Sequence, residues 1–239
     1  MKFWKIIIER VWTILFGGGK VISSETDLAK KLVEYYKQEF ASRDRINHVT
    51  TLLLCKRRIY YEQVKGRRVD DESVIRFMLG HGHHFLIEEM IAKFPEFQNY
   101  QIIREQRLEV DGITGEPDVV LVEPSGEKIL VEVKTTRTAR KIADYYIKQM
   151  KAYCYMVGTC RAYLIIFRLF NGKFESYEYR FTKEELEEQW NELKNKLNEI
   201  LECIKQGKPP EPEVGEYCKY CEYRDICRLE YGKELLGIK

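Results

Sequence analysis

The sequence predicts an α/β domain, and three observations carry that expectation. Two β-branched runs, Val119–Val122 and 129–133, flank Pro124-Ser125-Gly126 and read as a β-hairpin. A second pair of strand-like runs, 161–170 and 174–181, is joined by Asn171-Gly172, a dipeptide that favours tight hairpin turns. Longer segments with helical spacing, 71–94, 138–157 and 182–204, lie between and after these strands.

Composition bounds the rest. The 239 residues are enough for one large domain, or for a core with a small appendage. Hydrophobic residues make up 44%, which supports a buried core. The net charge of +2 means that a nucleic-acid partner would have to meet a local basic patch. Seven cysteines, with a Cys-x-x-Cys pair among them, argue for metal binding before disulfides, and so for a reducing, cytoplasmic compartment.

The first hairpin carries the chemistry. A three-residue loop with Gly126 last suits a type I turn followed by a left-handed residue. Centring the hairpin on Ser125 sets Asp118 opposite Glu132, and strand alternation puts Lys134 on the Glu132 face. Two carboxylates that close repel, so one pKa rises or a cation arrives. Hard oxygen ligands favour magnesium or manganese. Beside such an ion, a lysine can position or deprotonate a water that attacks a phosphodiester.

Upstream, residues 1–16 form an amphipathic helical pattern, with Lys2, Lys5, Glu9 and Thr13 as a narrow polar stripe. It is too short and too charged to span a bilayer, and Glu9 and Arg10 spoil it as a signal peptide. It could pack on its own domain, on another subunit, or on a membrane surface. Residues 24–41 read as a second helix, with Ser24 as N-cap. The densest basic stretch follows, holding Lys56, Arg57, Arg58, Lys65, Arg67 and Arg68 with Tyr60 and Tyr61 interleaved. Positive charge with aromatic faces suits single-stranded nucleic acid.

The 71–94 helix holds His81, His83 and His84, and His81, His84 and Glu88 share one face of it. Gly80 and Gly82 weaken a helix by about 1 kcal/mol each relative to Ala, which points to a close backbone approach there. In the 138–157 helix, Ile142, Tyr145, Gln149, Tyr153 and Met156 share a face, and Arg137, Arg140 and Lys141 just before or within it could add phosphate contacts. Thr182-x-x-Glu185 is a capping box that opens the next helix. The stretch 205–215, with Gly207, Pro209, Pro210 and Pro212, is a linker. Beyond it Cys218, Cys221 and Cys227 fall within ten residues, a strong metal-binding pattern that needs a fourth ligand. Cys154 and Cys160 flank the end of the 138–157 helix and read as core thiols.

Pro117-Asp118 and Glu132-Val133-Lys134 resemble the signature of the PD-(D/E)XK nuclease superfamily, and Gln149-x-x-x-Tyr153 resembles the extra motif of its RecB-like branch. One early cysteine, Cys55, with the late Cys218-x2-Cys221-x5-Cys227 run, is similar to the CRISPR-associated Cas-four exonucleases. The resemblance implies a restriction-endonuclease-like mixed sheet flanked by helices, with a cysteine-ligated iron–sulfur module. It implies His84, matched by Gly80-x-x-x-His84, as a metal ligand beside Asp118, Glu132 and the Val133 carbonyl, with His81 as the rival on the same face. Lys134 would act on the attacking water, while Gln149 and Tyr153 would lie near the active site and touch DNA. Arg57, Arg58, Tyr60, Arg137 and Arg140 are the candidate DNA contacts. Cys55, Cys218, Cys221 and Cys227 would hold a 4Fe–4S cluster, with 2Fe–2S or zinc as alternatives and Cys203 as a fallback ligand.

The implied organisation is an N-terminal helical extension over 1–40, a nuclease core over 41–205 and a cluster module over 206–239. The implied activity is exonucleolytic and metal-dependent, chiefly on single-stranded DNA, in the processing of spacer precursors with the Cas-one and Cas-two integrase as partners. A repair, recombination or viral exonuclease, a non-catalytic DNA-binding subunit and a zinc-stabilised interaction module are the other readings. Homo-oligomerisation stays open.

Overall fold

The structure is a computed structural model, and it describes residues 27–41, 45–136 and 142–231. Five strands form one sheet in the order β1-β4-β5-β6-β7, where β1 is Gln101–Arg104, β4 Val119–Val122, β5 Lys128–Thr136, β6 Arg161–Arg168 and β7 Lys173–Arg180. Only the central β5–β6 pair is parallel; β1–β4, β4–β5 and β6–β7 are antiparallel. A parallel pair needs a crossover, and helix α5 (Asp144–Val157) supplies it. A separate two-stranded ribbon joins β2 (Leu108–Val110) to β3 (Ile113–Gly115). The fold is therefore mixed α/β, a mostly antiparallel sheet with helices on its faces.

Strand β5 is covered on both sides, which explains its nearly continuous apolar run. Ile129, Val131 and Val133 pack with Val119 and Leu121 against Ile87 and Ile91 of α4 (Asp71–Ala92). On the opposite face, Leu130 joins Met150, Tyr153 and Cys154 of α5. It also meets Trp190, Leu193 and Leu197 of α6 (Lys183–Gln206), whose buried residues recur at helical spacing. The short helix α2 (Val49–Leu52) contributes Val49 and Leu52 to that core. The capping box at Thr182 is present, with Glu185 N–H donating to Thr182 Oγ1 at 3.2 Å and Thr182 N–H donating to Glu185 Oε2 at 2.9 Å.

The hairpin register is the one its loop dictates. Val119 faces Val131 and Val120 faces Leu130, and Gly126 takes φ +88° at the end of the loop. Residues 100–111, whose alternation reads as a single strand in the sequence, are split in two. Glu105 adopts φ +45° and its N–H donates to the Asp118 carbonyl at 3.1 Å, so β1 stops and β2 starts in a different ribbon. Helix α5 begins only at Asp144, while residues 137–141, the earlier part of the expected helix, lie outside the described residues. So do residues 1–26, which include the N-terminal amphipathic pattern and the Ser24 cap. Helix α1 (Asp27–Ala41) is the described part of the 24–41 segment.

Three helices come from segments that sequence patterning left unassigned: α2, α3 (Lys56–Lys65) and α7 (Arg224–Tyr231). The C-terminal segment closes onto α3. Tyr61 and Tyr223 stack with centroids 5.8 Å apart, and Arg57 Nη1 donates to the Pro210 carbonyl at 2.8 Å. Arg58 pairs with Glu222 at 3.0 Å. None of the described helices is long and apolar enough to cross a membrane.

Candidate active site

The site forms where the β4–β5 hairpin meets α4 and α5. Because Val119 pairs with Val131, the next position outward sets Asp118 against Glu132. Asp118 Oδ2 accepts a hydrogen bond from the Val133 N–H at 2.7 Å, which fixes the carboxylate against β5. Two residues beyond Glu132 on the same face, Lys134 Nζ forms an ion pair with Glu132 Oε1. The Tyr146 ring of α5 lies 5.6 Å from that ammonium, within cation–π range.

From the other side of the sheet, α4 brings His84 Nδ1 to 3.5 Å from Asp118 Oδ1. One turn later, Glu88 is buried at 3% exposure. Ligand atoms of His84, Glu88 and Asp118 all lie within 4.8 Å of one another. Two buried carboxylate oxygens here, Glu88 Oε1 and Glu132 Oε2, have no hydrogen-bond partner. Unpaired buried carboxylate oxygens are costly unless a cation satisfies them. The residues thus fit a divalent ion, and three carboxylates with one imidazole suit magnesium or manganese.

The electrostatics agree. Burial first, and then the Asp118 charge, push the Glu132 carboxyl up to about 8. Burial and the same Asp118 push Glu88 up to about 7. Asp118 goes the other way: although burial opposes it, the hydrogen bond from His84, the Lys134 charge and the Val133 N–H hold its carboxyl below the usual range. Lys134 is held protonated, because Glu132 and Asp118 outweigh its burial. The pocket is accordingly poised to exchange protons for a cation.

The structure separates the three histidines. His81 Nδ1 lies 2.6 Å from the Tyr36 hydroxyl of α1, away from the carboxylates. His83 lies against the Phe167 ring at 5.3 Å. His84 alone of the three reaches Asp118. Gly80 and Gly82 correct an expectation: a Cβ at either position would meet nothing within 4 Å among the described residues, so no close backbone approach explains them. The tight approach is at Gly115, where a Cβ would fall 2.8 Å from both Met156 Sδ and Tyr153 Cε1.

Gln149 and Tyr153 point into the site from α5, yet both are buried, at 4% and 1% exposure. Gln149 hydrogen bonds to the Tyr153 hydroxyl, whose pKa is raised by burial and then by the Glu132 charge. The charges of Glu132, Lys134 and Asp118 all act on the Tyr153 hydroxyl, so this pair lies beside the motif side chains. The basic stretch divides: Lys65 and Arg68 are exposed, while its first arginines turn inward. Arg57 and Tyr60 are buried at 2% and 5% exposure. Arg58 is half-buried and paired with Glu62 and Glu222. These charges hold the C-terminal segment, and their proximity to Pro210 and Glu222 was invisible in a linear reading. Arg137 and Arg140 lie outside the described residues.

Sequence reasoning placed Glu88 on the His84 face without giving it a role, and missed Tyr146, one turn before Gln149 on α5. The helical spacing that grouped Tyr145 with Gln149 could have found Tyr146 as well.

None of the seven cysteines forms a disulfide. Cys154 is fully buried in the core, with Cys160 packed beside it. Cys221, Cys227 and Cys203 pack around Tyr60, Tyr61 and Tyr223. Cys55 precedes α3 as its N-cap residue. The Cys227 thiol is pushed up by burial, and the neighbouring Cys55 and Cys218 add to that shift. Burial pushes Cys221 up to about 11. Cys55, Cys218 and Cys227 are therefore neighbours, although the clustered ligand set found at 4.8 Å among the described residues is the one at His84.

Known proteins resemble this chain in fold. The crystal structure of SSO0001 superposes with a TM-score of 0.61 at 19% identity, covering 85% of this chain and 97% of that one, which shows the fold. An alkaline exonuclease from Laribacter hongkongensis, LHK-Exo, is similar at a TM-score of 0.49 and 14% identity, covering 82% of this chain and 99% of that one. No curated protein matches the sequence. A model of the PD-(D/E)XK nuclease superfamily matches residues 67–228, well over half of the chain, including Asp118, Glu132 and Lys134. The chain belongs to the PD-(D/E)XK nuclease superfamily.

Proposed function

We propose that the chain is a divalent-metal-dependent DNA exonuclease that acts chiefly on single-stranded DNA. The observation that carries this reading is the convergence of Asp118, Glu132, Lys134 and His84 from three elements onto one largely buried pocket. Asp118, Glu132 and His84 would hold manganese or magnesium, with the Val133 carbonyl as a further ligand. When bound, the ion would polarise the scissile phosphate and lower the pKa of the attacking water.

The residues divide the remaining work. Lys134 is a fixed cation held by Glu132, so it orients the nucleophile and stabilises charge developing on the phosphorus oxygens, and does not serve as a free base. Tyr146 packs against the lysine ammonium and limits its motion. Gln149 and Tyr153 position Glu132 from behind. This makes them positioning residues of the site.

The cysteines support a narrower reading, in which residues 206–239 form an iron–sulfur module closed onto a core over 41–205, as in Cas-four exonucleases. Cys55, Cys218, Cys221 and Cys227 would hold the cluster. The action of Cys55 and Cys218 on the Cys227 thiol supports Cys55 as the fourth ligand. The cluster would serve structure by tying α3 to the C-terminal segment. The biological setting we favour is the processing of spacer precursors in CRISPR adaptation beside the Cas-one and Cas-two integrase. That setting rests on the cysteine pattern together with the nuclease motif.

End-labelled single-stranded and duplex DNA, incubated with protein in manganese, magnesium or EDTA, tests the activity. Metal-dependent shortening of the single strand is expected, and intact DNA in all three conditions would overturn the reading. Anaerobic purification tests the module: a brown protein with iron and sulfide supports it, and a colourless protein with stoichiometric zinc rejects it.

A further inference from the structure

We infer that Phe170 and Phe174, at the tip of the β6–β7 hairpin, form a base-stacking subsite that receives single-stranded DNA beside the catalytic pocket. The inference rests on the reading of this chain as a nuclease, and adds the surface that would tell a single strand from a duplex. Phe174 is 56% exposed and Phe170 is 84% exposed. Phe167, the cross-strand partner of Phe174, backs this platform, with the two ring centroids 6.2 Å apart and the ring planes at 70°. His83 of α4 braces Phe167 in turn, 5.3 Å from its ring.

Strand register and one helix place the platform next to the reacting groups. Phe167 pairs with Thr135 across the parallel β5–β6 ladder, and Thr135 follows Lys134 in the chain. The Leu169 N–H donates to the Thr136 carbonyl at 2.9 Å, so the hairpin runs on past the end of β5. On α4, His83 and His84 are consecutive: one touches Phe167 and the other reaches Asp118. Folding does not account for the two outer rings. Phe167 packs with Ile87, Val131 and Val133 and belongs to the core. The tip itself turns on Asn171, whose Oδ1 accepts the Lys173 N–H at 3.2 Å, and on Gly172 at φ +63°. That turn needs no aromatic neighbour. Contiguous exposed rings mark an interaction surface. An aromatic face stacks on any unpaired base, whereas a duplex keeps its bases stacked on one another. Lys173, exposed and set between the two rings in sequence, supplies charge for a phosphate. The occupant is thus a single strand passing the Lys134 end of β5.

Fluorescence anisotropy of labelled oligothymidine and of a blunt duplex, measured in EDTA on the full-length protein, tests this. A Phe170→Ser, Phe174→Ser double variant should weaken single-strand binding about tenfold or more and leave duplex binding unchanged. A Phe170→Trp, Phe174→Trp double variant keeps the stacking faces. It should bind the single strand at least as tightly as wild type, and its added fluorescence should be quenched by oligothymidine. Equal single-strand affinity in the serine variant and wild type, or none in either, would overturn the inference, while cleavage by wild type in manganese would leave the nuclease reading intact. An equal loss on the duplex would overturn it too, since the rings would then not be selecting unpaired bases. So would a wild-type dimer that sedimentation shows to be a monomer in the serine variant with single-strand affinity unchanged, because the rings would then be a contact between copies. If the serine variant fails to fold, the tryptophan variant decides alone: unquenched emission at saturating oligothymidine would overturn the inference. Single-strand binding through the rings with no cleavage in manganese would instead bring down the nuclease reading and leave the subsite standing.

Discussion

Asp118 Oδ2 and the backbone N–H of Val133 lie 2.7 Å apart, and this one bond ties the acidic end of β4 to the middle of β5. It places a carboxylate beside Glu132 and directs its other oxygen toward His84. Everything proposed about chemistry depends on that crossing from one strand to the next.

The buried carboxyl of Glu132 sets a pH dependence. Its folded pKa, about 8, is raised above an ordinary 4.5, so the folded state binds more protons than the unfolded state between those values. Stability of the metal-free protein should therefore fall as pH rises toward 8. His48, held down to about 4 by burial, acts oppositely below about pH 6.5, and Glu88, raised to about 7, acts in the same sense as Glu132 up to about that pH, so the window in which Glu132 dominates is pH 7 to 8. Urea midpoints in EDTA should drop more steeply across that window in wild type than in Glu132→Gln, where Glu88 alone of the two raised carboxyls remains. Parallel curves for the two proteins would contradict the assignment.

Gly115→Ala should destabilise by about 1–3 kcal/mol, because its Cβ would overlap Met156 and Tyr153. Gly82→Ala should be neutral or stabilise by up to about 1 kcal/mol, since nothing described crowds that position. Thermal unfolding of the two variants checks the contrast. A reversed order would mean that another surface covers α4.

Arg57→Ala should cost about 2–4 kcal/mol. It empties a buried site and leaves the Pro210 carbonyl without its 2.8 Å donor. Tyr223→Phe, which removes the hydrogen bond to the Gly66 carbonyl, should cost about 1 kcal/mol. Limited proteolysis should show the C-terminal segment cut earlier in both variants. Unchanged cleavage would deny the role of α3 as its anchor.

Local chemistry was the legible part of this chain. The β4–β5 register followed from a three-residue loop and two β-branched runs, and the capping box at Thr182 marked the start of α6. These signals are short-range, and the structure keeps them. Long-range relations were not legible. Nothing near Arg57 in sequence announces Pro210, so the contacts of Arg57 and Arg58 with the C-terminal segment could not be read from the cationic stretch. The break at Glu105 was hidden for the same reason: it depends on a hydrogen bond to Asp118, thirteen residues away. Glu88 was visible as a helical neighbour of His84, but its role depends on an orphaned oxygen that only the packed pocket reveals.

The most direct test of the central claim is Lys134→Ala assayed on end-labelled single-stranded DNA in manganese, beside wild type, with manganese and DNA binding measured on both. The account predicts that the variant still binds metal and DNA and that its cleavage rate falls by at least about a hundredfold. Cleavage at the wild-type rate would contradict it, because the buried ammonium between Glu132 and Tyr146 would then take no part in the reaction.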